Sequence, residues 1–159
     1  MRLSLAVVVI GSTLVLGGCN GSDGGRKAGP TTHGCSTLTA ADIAKVTGDT
    51  PQKRDLNPTK GSGIRCSTAF AGAGGSLVLA ITEWDGDAKT LHRLRSTYVT
   101  RLGAGSVQSV PALGQGAFVA RKRVLGFRRR ATVTTLETGY DSSGSLVLTL
   151  AQLERLAQS

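Results

Sequence analysis

Ser76-Leu77-Val78-Leu79-Ala80-Ile81-Thr82-Glu83-Trp84 is the stretch on which the fold turns. Leu77, Leu79 and Ile81 fall on one face of an extended chain, and Val78, Ala80, Thr82 and Trp84 fall on the other. No Gly or Pro interrupts it. A strand with bulky residues on both faces is predicted to lie centrally in a sheet.

Working outward, Arg65–Phe70 places Cys66, Thr68 and Phe70 in the same alternation and reads as a neighbouring strand. Upstream, Thr39 is a good helix N-cap. Asp42 stands three residues on as its capping-box partner, and Leu38 is set to staple onto Ile43. Gly48 sits where a left-handed C-terminal cap is wanted. Downstream, a second helix is expected from Asp87 as N-cap to Gly103 as terminator. Its Leu91, Leu94, Tyr98 and Leu102 form one apolar stripe.

Beyond Pro111, Ala117–Arg123 and Phe127–Leu136 read as a hairpin turned at Val124-Leu125-Gly126, with Gly126 in the left-handed position. Ser145–Leu150 alternates like a strand, yet Thr149-Leu150-Ala151-Gln152 is also a capping box, with Leu148 placed to staple Leu153. The reading is a short strand running into a final helix, Leu150–Gln158. Helices interspersed with strands on hairpin-length connections imply an α+β fold of one domain. Its sheet is expected to be mainly antiparallel, with the helices packed on one face.

The N-terminus carries an address. Met1-Arg2 is a short positive region, and Leu3 to Leu16 is apolar but for Gly11, Ser12 and Thr13. A membrane span needs about 20 apolar residues, so this run suits an export signal instead. It closes in Leu16-Gly17-Gly18-Cys19, which resembles the bacterial lipobox, with Gly17 a less usual occupant of its position. That resemblance implies lipidation of Cys19 and cleavage before it. Residues 1–18 are then the signal, 19–34 the lipidated cysteine and a Gly/Ser/Thr-rich tether, and 35–159 an extracytoplasmic domain. The expected location is the outer face of the cell membrane, held by the lipid. Two acyl chains anchor firmly where one is marginal, at about 0.8 kcal/mol per buried CH₂.

Three cysteines less Cys19 leave Cys35 and Cys66. Outside the cytoplasm a disulfide is the expectation for them, and two buried free thiols are the alternative.

The net charge of +9 is local in origin. Six of the basic residues, Arg121, Lys122, Arg123, Arg128, Arg129 and Arg130, stand in one ten-residue window that has no acid. In the expected hairpin the two triplets converge around an apolar apex, an arrangement suited to an anionic lipid surface or wall polymer. The plainer reading is that these charges keep an edge hairpin soluble and unpaired. Aromatics at 4% argue against base-stacking platforms, and an exported domain does not routinely meet nucleic acid, so no nucleic-acid partner is expected. The sequence names no protein partner.

Taken together, the lipobox, the tether, Cys35-Ser36-Thr37-Leu38-Thr39-Ala40-Ala41-Asp42-Ile43 closing in Thr47-Gly48, the second cysteine about thirty residues on, and Val110-Pro111-Ala112-Leu113-Gly114-Gln115-Gly116-Ala117-Phe118 resemble a family of actinobacterial lipoproteins catalogued as domain of unknown function 3558. The likeness runs over roughly Cys35 to Ala157. It departs at Thr68, where an aromatic is common, and at Gln115, where an acid is usual. It implies an envelope location and an α+β fold, and no activity.

The motifs of catalysis are missing from the chain. There is no Gly-x-Ser-x-Gly elbow. Gly72-Ala73-Gly74-Gly75 and Gly103-Ala104-Gly105 lack the third glycine and the strand-to-helix setting of a nucleotide site. There is no Cys-x-x-Cys, and the two histidines are His33 in the tether and His92 on a helix edge. Asp85 and Asp87 lie in a turn, where Asp87 serves as a cap. No catalytic residue, metal or cofactor is therefore expected. A non-catalytic binding module leads. A sensor with a pocket between helices and sheet follows, and an enzyme assembled only in the fold, for instance around His92 and a carboxylate, comes last.

Overall fold

In the computed structural model the Ser76–Trp84 run lies within β3 (Leu77–Asp85), third of seven antiparallel strands. The structure describes residues 34–35, 37–56 and 62–159; the expected signal, Cys19 and the tether through His33 lie outside them. The elements are α1 (Ala40–Thr47), β1 (Gln52–Leu56), β2 (Ile64–Ala71), β3, α2 (Ala88–Leu102), β4 (Val107–Ser109), β5 (Phe118–Ala120), β6 (Val124–Arg129), β7 (Thr132–Thr138) and α3 (Leu150–Gln158). The strand order is β1-β2-β3-β7-β6-β5-β4. The described residues form one compact α+β unit, as expected. No helix of the described residues is long and apolar enough to cross a membrane.

The helix ends follow their caps. Thr39 and Asp42 make the reciprocal capping box of α1, Gly48 closes it at φ 87°, and Leu38 and Ile43 are both buried. Asp87 accepts from the Lys89 and Thr90 amides at the start of α2, and Gly103 ends it. Thr149 and Gln152 box the start of α3. The expected strand over 145–150 is corrected. It makes one isolated bridge, Tyr140 to Leu146, because the Thr149 box commits the chain to helix.

The helices divide between the two faces of the sheet, which corrects the expectation of one. On one face, under α1 and α3, Phe70, Leu79, Ile81, Leu125, Phe127 and Leu136 meet Ile43, Leu153 and Leu156. On the other, Phe118, Ala120, Val124 and Val133 take the α2 stripe of Leu91, Leu94, Tyr98 and Leu102. Strands apolar on both sides need cover on both sides. Burying each of the larger side chains fully enclosed there contributes about 1.5–3 kcal/mol, which an uncovered second face would forgo. The Tyr98 and Phe118 rings pack tilted at 5.5 Å between centroids.

The expected hairpin apex is also corrected. Val124, Leu125 and Phe127 are buried inside β6, and the turns lie at its two ends. Arg121 and Lys122 turn β5 into β6, and Arg130 and Ala131 turn β6 into β7. The basic triplets therefore sit at opposite ends of a six-residue strand, about 17 Å apart, and do not converge. Gly126 serves packing: a Cβ there would lie 2.4 Å from the Phe118 ring, its register partner on β5.

Arg121, Lys122 and Arg130 hold φ of 48°, 55° and 52°. For a non-glycine residue that conformation costs about 1–2 kcal/mol. Lys122→Gly is accordingly expected to raise unfolding stability by about 0.5–1 kcal/mol, the relief of strain less the entropy glycine adds to the unfolded chain. A urea midpoint that falls would contradict the left-handed turn.

Candidate functional site

The layer of apolar residues under α1 and α3 stops before the strands do. At that end of the sheet Cys66 on β2, Glu83 on β3, Thr134 on β7 and Phe127 on β6 stand side by side in register. The next row brings Thr132 beside Arg129. Arg129 lies just past the end of α3 and donates through Nη2 to the Ala157 carbonyl at 2.7 Å. Positive charge there offsets the exposed carbonyls that end a helix. Beyond this contact no helix among the described residues covers the sheet. A depression of about 570 Å³ opens, lined by Thr37, Arg65, Glu83, Arg129, Arg130, Thr132 and Thr134. Every lining side chain is polar or charged.

Glu83 is 5% exposed. Its Oε1 accepts the Thr37 hydroxyl. Its Oε2 lies 3.3 Å from Cys66 Sγ, and that sulfur is bonded to Cys35 Sγ, so it has no proton to donate. Burial pushes the carboxyl above its ordinary range, partly offset by Arg65, while Asp85 adds to the rise. A carboxyl raised in the fold stabilises it most at low pH, and that contribution is lost as pH rises from the unfolded value through the folded one. Near neutrality Glu83 is thus a cost to folding, of the kind found where a site needs a charge.

The disulfide that shapes this corner is as expected, with Cα atoms 5.3 Å apart. It pins the entering chain to β2, where the Cys35 amide also donates to Thr68 Oγ1. Thr37 is thereby set over Glu83. The Cys35, Cys66 and Glu83 ligand atoms lie within 4.8 Å of one another, but both sulfurs are spent in the disulfide.

The six basic residues have different employments. Arg123 pairs with Glu137 at 2.6 Å, donates to the Thr138 carbonyl and lies over the Tyr140 ring. Arg129 caps α3. Arg121, Lys122, Arg128 and Arg130 are exposed in the turns or beside them. Arg65, which the sequence reading passed over, joins Arg130 at the depression and pairs with exposed Asp85 at 3.5 Å. A bulge between Ile64 and Cys66 accommodates Arg65, and nothing local in the sequence announces one. His92 is exposed on α2.

A second cavity of about 790 Å³ lies between the end of α1 and the start of α3, with Asp49, Val78, Asp141 and Val147 in its walls. Asp141 there is occupied by its own loop, accepting from the Ser143 hydroxyl and amide and the Ser145 amide. These bonds hold its carboxyl low. The chain matches no protein-family model, no curated protein and no solved structure.

Proposed function

We propose that this chain is a lipid-anchored protein of the extracytoplasmic membrane face, akin to the actinobacterial lipoproteins it resembles. It binds phosphate-bearing groups of the envelope, on lipid or wall polymer, without catalysing a reaction. The observation that carries the reading is the gathering of exposed basic residues at the β6–β7 end, Arg65, Arg128 and Arg130, with Arg130 held there on a strained backbone. Among the described residues, the non-glycine positions with left-handed backbone are Arg121, Lys122 and Arg130, all basic. Glycine or asparagine would turn the chain at lower cost, and strain kept at such positions is characteristic of sites that use the side chain. The β6–β7 end is the contact surface, because Arg128 and Arg130 there are joined by Arg65 and by an all-polar depression. The β5–β6 end has Arg123 withdrawn into its pair with Glu137.

Each basic residue near an anionic surface contributes about 1 kcal/mol, screened within a Debye length. The chain from residue 19 with Cys19→Ser, which carries no lipid, is expected to co-sediment with phosphatidylglycerol vesicles and not with phosphatidylcholine vesicles, and to be released by high salt. The triple change Arg65→Gln, Arg128→Gln, Arg130→Gln should abolish that binding, while Arg121→Gln with Lys122→Gln should leave most of it. Undiminished binding by the triple variant would leave the charges only the task of keeping the hairpins soluble.

A pocket-based sensor is the second reading, favoured by the 790 Å³ cavity. It is the weaker of the two, because Oδ1 of the Asp141 carboxylate that would recognise a ligand is already engaged by three donors of its own loop.

A further inference from the structure

We infer that the depression at the β6–β7 end is a headgroup site for a zwitterion, with a primary ammonium on Glu83 and an adjoining phosphate on Arg65 and Arg130. The inference rests on the reading of this end as the anion-contacting one and names the ligand it takes.

Three features of the site lead there. A simple anion pocket has no use for a buried carboxylate at its floor, yet Glu83 lines this one and is 5% exposed. Its Thr37 partner satisfies one oxygen, and the other faces a sulfur without a proton. A buried carboxylate oxygen left without a donor costs several kcal/mol unless something brings it one, and an ammonium brings charge as well. The rim, in contrast, is cationic: Arg65 and Arg130 are exposed, and Arg65's protein partner Asp85 lies in solvent at 3.5 Å, a pairing weak enough to exchange for a ligand oxyanion. Cation-seeking floor and anion-seeking rim occur within one cavity of about 570 Å³, ample for a small headgroup. Between them stand Thr37, Thr132 and Thr134, and among the described residues no apolar side chain lines the depression, which suits a hydrophilic ligand. The quaternary ammonium of choline has no N–H to give Glu83, so the site distinguishes primary amines.

The test is a titration of the Cys19→Ser chain from residue 19 with O-phosphoethanolamine, phosphocholine and inorganic phosphate, followed by amide chemical shifts. Phosphoethanolamine is expected to bind about tenfold more tightly than either of the others, the scale of one charge-assisted hydrogen bond. Glu83→Gln should erase that preference while keeping phosphate binding, and Arg130→Gln should weaken both. Because Glu83 is a cost to the fold near neutrality, Glu83→Gln is expected to fold and to melt no lower than the parent at pH 7. Should it fail to fold, the parent protein decides: shifts centred on Thr37, Glu83 and Thr134 support the site, and shifts elsewhere overturn it. Equal affinity for the three probes, or a preference that survives Glu83→Gln, also overturns it. If phosphatidylglycerol vesicles still bind in that event, the zwitterion site alone has failed; if they too are ignored, the proposed function has failed with it. Adding phosphatidylethanolamine to the vesicles assigns the source. Tighter binding than with added phosphatidylcholine points to a lipid headgroup, and no difference, with soluble phosphoethanolamine still bound, points to a soluble zwitterion.

Discussion

Replacing both Cys35 and Cys66 by alanine is expected to lower the melting temperature by about 10–15 °C. The bond joins cysteines 31 positions apart around α1 and β1, and freeing it returns about 3–4 kcal/mol of loop entropy to the unfolded chain. For a domain of this size each kcal/mol moves the midpoint by about 3–4 °C. β1 has little else to hold it: all five of its residues are exposed, and β2 is its one partner in the sheet. Differential scanning calorimetry with and without a dithiol reductant on the parent protein gives the same comparison without mutation. A shift under about 3 °C would mean that the loop is held by other contacts. Loosening this arm also frees Thr37 from Glu83, so the variant should lose affinity at the depression as well as stability.

Gly139→Ala is expected to cost about 3 kcal/mol, whereas Gly126→Ala should cost about 1–2. At Gly139 a Cβ would stand 1.9 Å from the Leu77 carbonyl oxygen, and a backbone atom paired into the sheet cannot turn aside. The chain passes so close because the Gly139 amide reaches the Val78 carbonyl and its own carbonyl takes the Val147 amide, carrying β7 toward α3. At Gly126 the obstacle is the Phe118 ring, a side chain that can swing aside by the roughly 1 Å that restores ordinary contact. Urea unfolding of the two variants tests the contrast. A Gly139→Ala midpoint no lower than that of Gly126→Ala would refute the close approach.

These two glycines show where sequence reading succeeds and where it stops. Thr39, Asp87 and Thr149 act through residues two or three positions away, so their helices were legible as local chemistry. The β3 alternation was legible because period two reports burial on both faces. Gly126 has the look of a turn in the sequence, whereas the reason for it sits on another strand, in the Phe118 ring. The real turn is silent in the sequence because Arg121-Lys122 lacks the Asn-Gly signature that left-handed turns usually display. β1 and β4 escaped notice for a different reason: Gln52–Leu56 is exposed throughout, and Val107–Ser109 is too short for periodicity to register. Of the candidate site, the basic residues and the disulfide could be named in advance. Arg65 and Glu83 could not, since register across four strands brings them to the depression.

The strand order has a consequence for how the chain acquires its shape. β1-β2-β3 and β4-β5-β6-β7 are each built from consecutive neighbours, and the sheet becomes continuous through a single seam, β3 against β7. Every other pairing closes a short loop, while the seam must bring together partners such as Ile81 and Leu136 across more than fifty residues. Loop closure grows costlier only logarithmically with length, but formation slows as contacts become less local. By that rule the seam is expected to form more slowly than the pairings within either meander. Both cysteines precede the seam in the chain, Cys35 ahead of α1 and Cys66 on β2 of the first meander. A chain emerging from its N-terminus can oxidise them before the second meander exists, so that β3 waits as a templated edge with its register already set.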